Sequence, residues 1–204
     1  MKEFKKNGYV VIKKVLNFET CDLIRNYFFL KKQILHTYLE KKYIAPYTSD
    51  FGSFGDSQAT KDCYCVYGDC LSDSLLPLLK SKVEKETGIK LFENYTYMRI
   101  YSKGSVLKKH KDRLSCEIST TLNVDNNDWP IFLTNTKNKE IKVSLKKGDM
   151  LIYKGCDLEH WRRENPFDTH AQVFIHYNNV KTKNNMCDSR PHLGLPLSFK
   201  MKGK

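Results

Sequence analysis

The chain has 204 residues, 40% of them hydrophobic and 28% charged, which fits a single globular domain with room for a substantial core. No run approaches the roughly 18 unbroken apolar residues of a membrane span. The start "MKEFKKNGYVVIKKVL" lacks the long apolar segment and small-residue cleavage site of a secretory signal, so a cytoplasmic protein that does not enter membranes is expected. With 35 Lys and Arg against 23 Asp and Glu the net charge is +12, which admits nucleic acid, acidic protein or anionic small-molecule partners.

In chain order, "YVVIKKVL" (residues 9–16) reads as a short strand. Residues 17–42 follow with apolar side chains at helical spacing, Leu23, Tyr27, Leu30, Ile34 and Tyr38 among them, and Asn17 or Thr20 as the cap. Residues 45–72, rich in Gly, Ser, Asp and Tyr, predict a long loop with a strand through "CYCVYG". Seven cysteines, an odd number, make a poor disulfide framework, so Cys63, Cys65 and Cys70 are expected as reduced thiols. "DSLLPLLKSKVEKETGI" predicts a second helix that Gly88 closes. From residue 91 the pattern turns to strands: "NYTYMRIYSKG", "LKKH", "CEISTTLNV", "PIFLTN", "KEIKVSLKKGDMLIYKG" and "AQVFIHYNNV", with turns between them. The fold class expected is mainly β with N-terminal helices, a barrel or two-sheet sandwich. The expected division is one domain over 1–204: N-terminal support (1–90), β core (91–180) and tail (181–204).

His110 and Asp112 stand two residues apart in "LKKHKDRL". On a strand, side chains at i and i+2 share a face and can grip one ion together, with Lys111 directed the other way. The candidate third ligand is His160 in "LKKGDMLIYKGCDLEHWRR", after a strand and a Gly-containing turn. Two imidazoles and one carboxylate that leave the remaining positions open suit non-haem Fe(II) and O2 activation.

The segments "YMRIYSKGSVLKKHKD", "CEISTTLNV", "LKKGDMLIYKGCDLEHWR" and "AQVFIHY" resemble the 2-oxoglutarate/Fe(II)-dependent oxygenases, in particular the prolyl 4-hydroxylase-like branch. The resemblance implies a double-stranded β-helix (jelly-roll) core, with His110, Asp112 and His160 as metal ligands and catalytic centre. It implies Fe(II), 2-oxoglutarate as cosubstrate and O2, with ascorbate as a further candidate. It places Tyr101 and Thr121 against the cosubstrate. The chain departs from the family's pattern where an Arg or Lys, about ten residues after the second histidine, binds the distal carboxylate: that neighbourhood reads "FDTHAQVFIHY". Arg162, on the face of His160 in extended chain, with Gln172 assisting, can supply the contact. The alternatives are Gln172 or protonated His170, with Arg99 or Arg113 neutralising the charge.

The expected activity is hydroxylation of a protein or peptide side chain, proline favoured. A nucleic acid dealkylase is disfavoured, since "AQVFIHYNNV" lacks the paired arginines that those enzymes carry. A non-catalytic jelly-roll binding protein is the third reading, motivated by the absent cation. The loop before residue 70 and the tail "DSRPHLGLPLSFKMKGK" are candidate lid segments, and Trp129 and Trp161 are candidate walls of the substrate mouth.

Overall fold

The computed structural model describes residues 1–43, 50–61, 63–182, 188 and 190–196, so part of the candidate lid loop and most of the tail lie outside the described residues. The helices are α1 (Lys2–Asn7), α2 (Phe18–Glu40), α3 (Cys70–Asp73) and α4 (Leu75–Thr87). The strands are β1 (Tyr9–Ile12), β2 (Ser53–Phe54), β3 (Tyr64–Tyr67), β4 (Leu91–Ser102), β5 (Leu107–His110), β6 (Ile118–Asn123), β7 (Ile131–Thr134), β8 (Glu140–Val143), β9 (Met150–Lys154), β10 (His160–Arg162) and β11 (Thr169–Asn179). No described helix is long and apolar enough to cross a membrane.

Local chemistry explains the helix ends. Asn17 caps α2 by accepting a hydrogen bond from Thr20 N at 2.9 Å. Gly88 closes α4 at φ +71°, a left-handed conformation that side chains rarely adopt. Helix α1 was not expected from sequence; it is a six-residue turn held down by one buried side chain, Phe4.

The strands form two antiparallel sheets, a large one in the order β1-β9-β6-β11-β4-β3-β2 and a small one in the order β5-β10-β7-β8. Strand alternation sorts the large sheet's side chains. Met98, Ile100, Val173, Ile175, Leu122 and Ile152 pack with Ile24, Phe28, Leu76 and Leu79 of the helices in the main core. The opposite face looks toward the small sheet. There the register sets His176 opposite Tyr95 and Ser119, Phe174 opposite Tyr97 and Thr121, Gln172 opposite Arg99 and Asn123, and His170 opposite Tyr101. Titratable groups therefore line this inner face along its length, from His176 and Tyr95 through Arg99 to His170 and Tyr101.

The chain's C-terminal part is tied to this frame by charge. Arg190 Nη1 donates to Asp73 Oδ2 at 2.8 Å, both side chains nearly fully buried. Asp73 also accepts from Thr96 N, Thr96 Oγ1 and Gly194 N. Asp73→Ala removes one of the two carboxylates on the buried Arg190, leaving Asp188, together with three further hydrogen bonds, so it is expected to destabilise the fold by about 2–4 kcal/mol in denaturant titration.

Candidate active site

Strand β5 delivers His110 at its last residue and β10 delivers His160 at its first, directly paired across the small sheet. The chain leaves β5 immediately after His110, and Asp112 N donates to Gly155 O at 2.9 Å, which turns the Asp112 carboxylate toward both imidazoles. Asp112 Oδ1 lies 3.7 Å from His110 Nε2 and 3.5 Å from His160 Nε2. One donor atom from each of the three residues falls within 4.8 Å of the others. Donors held about 2.1 Å from one ion at near right angles sit roughly 3 Å apart, so a small closure brings this set onto a metal.

The tautomers are set for that role. His110 Nδ1 faces Lys108 O at 2.6 Å and His160 Nδ1 faces Leu158 O at 3.0 Å. A carbonyl accepts only, so each Nδ1 carries the proton and each Nε2 presents a lone pair. Burial lowers the His110 pKa, reinforced by neighbouring His160. Burial by itself would raise Asp112, but its contacts with His160, His176 and the Ser119 hydroxyl hold it well below the usual carboxylate range. Ser119 Oγ donates to Asp112 Oδ2 at 2.6 Å and lies 3.1 Å from His176 Nδ1. Gly155 completes the support: a Cβ there would stand 2.5 Å from Asp112 Oδ2 and 2.3 Å from Ser119 Oγ. Gly155→Ala is expected to lower metal affinity by about 10–100-fold, the usual size of an outer-support effect, measured by Fe(II) or Co(II) titration.

A cavity of about 530 Å3 opens onto these ligands. Tyr153, Leu107, Phe174 and Tyr97 form walls, and Arg99 and Asp56 meet inside it. Asp56 Oδ2 accepts from Arg99 Nη2 at 2.7 Å and Tyr97 Oη at 2.6 Å, so this guanidinium already has its counter-ion. Asp56 comes from the part of the 45–72 loop that is stitched to β5 and the turn before it, through Lys108 N donating to Gln58 O and Thr60 N donating to Val106 O. Lys111 lines the cavity rather than pointing away, because the strand ends at His110 and alternation stops there.

Arg113 also lines the cavity, whereas Tyr101, Thr121, Arg162, His170 and Gln172 are not among its lining residues. Tyr101 is fully buried, accepts from Arg99 Nη1 at 2.9 Å and stacks edge-on to Trp129 at 4.9 Å. Thr121 Oγ1 donates to Gln172 Oε1 at 2.8 Å. The Gln172 amide is otherwise spent on Asn123 and His170, at 3.2 and 2.6 Å. Arg162 is among the largest fully buried side chains. Its Nη1 donates to Trp129 O, and its ring-stacked guanidinium sits 4.9 Å from the Trp129 centroid. Its Nε and Nη2 have no partner, and no carboxylate among the described residues pairs with it. Burial brings its pKa down to about 10, so it stays charged at neutral pH. His170 Nδ1 is likewise without a partner. Of the tryptophans, Trp129 belongs to this inner cluster and Trp161 stacks on Phe132 at 6.0 Å in the small sheet.

Sequence reasoning missed His176, Ser119, Cys116, Tyr95, Asp56 and Gly155. His176 lines the cavity, and burial pushes its pKa down to about 4. The signal lay in β11, where "HAQVFIHY" alternates polar or aromatic residues on one face with Ala171, Val173 and Ile175 on the other. Cys63 and Cys65 are buried free thiols, with Sγ atoms 3.6 Å apart, and Cys70 is an exposed one.

No family model and no curated relative matches the chain. Solved structures do. A prolyl-4-hydroxylase from Pseudomonas putida is 10% identical, with a TM-score of 0.62 over 87% of this chain and 96% of its own. HygX from Streptomyces hygroscopicus, bound to nickel, 2-oxoglutarate and hygromycin B, is 13% identical, with a TM-score of 0.58 over 88% of this chain and 86% of its own. A Trichoplax adhaerens prolyl hydroxylase, in complex with a hypoxia inducible factor peptide fragment, is 14% identical, with a TM-score of 0.62 over 88% and 87%. Two antiparallel sheets enclosing the cavity, together with these likenesses, establish that the chain folds as a double-stranded β-helix of the kind found in 2-oxoglutarate/Fe(II) oxygenase structures.

Proposed function

We propose that the protein is a 2-oxoglutarate- and Fe(II)-dependent dioxygenase that hydroxylates a protein or peptide side chain, with proline the favoured residue. The observation that carries this reading is the convergence of His110, Asp112 and His160, both imidazoles locked with Nε2 free. Those three would hold the iron. An iron held there would supply, with oxoglutarate and O2, oxidative decarboxylation to succinate and CO2 coupled to insertion of one oxygen into a C–H bond. The prolyl hydroxylase neighbours, one of them peptide-bound, and the 2-oxoglutarate-bound HygX support this class and the choice of a peptide.

The chain's own residues then have distinct tasks. Ser119 keeps the Asp112 carboxylate ionised and oriented. The ring of Tyr153, 4.7 Å from that of His160, would help to exclude water from a metal held there. Arg162 is the distal-carboxylate anchor in our reading. It follows His160 by two residues, on the same buried face of β10. A buried guanidinium with two idle donors calls for an anion. Tyr101 lies beside it, as the resemblance implies for a cosubstrate-facing tyrosine, while Thr121 and Gln172 brace the floor. A dealkylase is not favoured: β11 carries no arginine.

Anaerobic titration with Fe(II) and oxoglutarate tests the class. A visible charge-transfer band from the chelate is expected, followed on admission of O2 by succinate. Absence of both refutes the proposal.

A further inference from the structure

Resting on that reading, the cavity mouth indicates what kind of peptide enters it. Arg113 directly follows Asp112 and reaches over two tyrosines. Its Nη2 donates to Tyr67 Oη at 3.0 Å and its Nε to Tyr95 Oη at 3.3 Å. The two rings stack on each other at 4.6 Å and 15°, and the guanidinium lies 4.8 Å from the Tyr95 centroid. Burial raises both phenols well above their usual range, at Tyr67 reinforced by Asp188, whose own charge is met by Arg190, so they stay neutral and fix Arg113 without cancelling its charge. Among the described residues no carboxylate pairs with Arg113 or with Lys111 beside it. The carboxylates that line the cavity are committed elsewhere, Asp56 to Arg99 and Asp112 to the ligand set. The mouth therefore holds an immobilised, uncompensated fork of donors one residue from a metal ligand, while the interior cation Arg99 is neutralised. A planar guanidinium on an aromatic support binds a carboxylate through two parallel hydrogen bonds.

We infer that Arg113, on its Tyr67–Tyr95 support, is the specificity element of the site, and that it selects an acidic peptide whose Asp or Glu side chain lies beside the residue to be oxidised. Lys111 adds longer-range attraction for the same charge.

The test uses two fluorescent peptides that differ only in whether the proline is followed by aspartate or asparagine. Fluorescence anisotropy is read on the full chain, alone and with Fe(II) and oxoglutarate under argon. The aspartate peptide is expected to bind about tenfold more tightly, the equivalent of one charge-assisted contact at 1.4 kcal/mol per decade, and Arg113→Met to erase that difference. Equal affinity for the two peptides, a preference that survives in Arg113→Met, or no binding of the aspartate peptide overturns the inference. Should Arg113→Met fail to fold, Arg113→Lys decides, because lysine keeps the charge without the fork: a reduced preference supports the assignment and an undiminished one removes it. Absence of the charge-transfer band with the preference intact would instead sink the oxygenase reading and leave the anion site standing.

Discussion

Asp112→Ala is expected to abolish succinate formation and to weaken Fe(II) binding well beyond the ~10–100-fold that loss of an outer partner causes. Three properties combine in this carboxylate. It is the only anionic donor in the set, it stands between the two imidazoles at 3.5 and 3.7 Å, and it alone is held by Ser119. Removing it leaves two neutral nitrogens and no anionic donor: no other carboxylate oxygen among the described residues joins the His110–His160 set. Calorimetric Co(II) titration separates this from unfolding, since far-UV circular dichroism should be unchanged. Tight Fe(II) binding by Asp112→Ala would place the metal elsewhere.

Arg162→Met is expected to raise the oxoglutarate KM by roughly 100-fold or more, since a carboxylate anchored through charge-assisted hydrogen bonds worth about 1.5–3 kcal/mol each loses them together. The same substitution is expected to leave the cofactor-free protein as stable as before, or more so, because it replaces an unpaired buried cation by an apolar chain of similar length. Opposite signs in the two measurements are the signature of a ligand anchor. A residue that merely props the Trp129 carbonyl would lose stability and leave KM unmoved. An unchanged KM would remove Arg162 from the anchor's role and leave the alternatives, Gln172 or protonated His170 with charge neutralised by Arg99 or Arg113.

The legible parts of this protein were those encoded within one segment. The H-x-D spacing, the Gly-containing turn before His160 and the alternation of β4 and β6 are local, and local pattern is what a single sequence displays. Helix α4 is of this kind, ending at Gly88 where the glycine stands. What stayed hidden depends on register between distant strands. His176 matters because it is paired with Ser119, 57 residues earlier, and Ser119 because it touches Asp112. Asp56 neutralises Arg99 across 43 residues from a stretch whose composition showed only a loop. Gly155 looked like an ordinary turn glycine; its role is the space it leaves for a carboxylate.

The pairing of Asp56 with Arg99 has a further consequence. Below the mouth, the two acids Asp56 and Asp112 balance the two arginines Arg99 and Arg162. A divalent ion alone upsets that neutrality, and a doubly charged keto acid restores it. Each ligand should therefore strengthen the other's affinity by an equal factor, as reciprocal linkage requires, so the empty barrel discriminates against either component arriving without its counterpart.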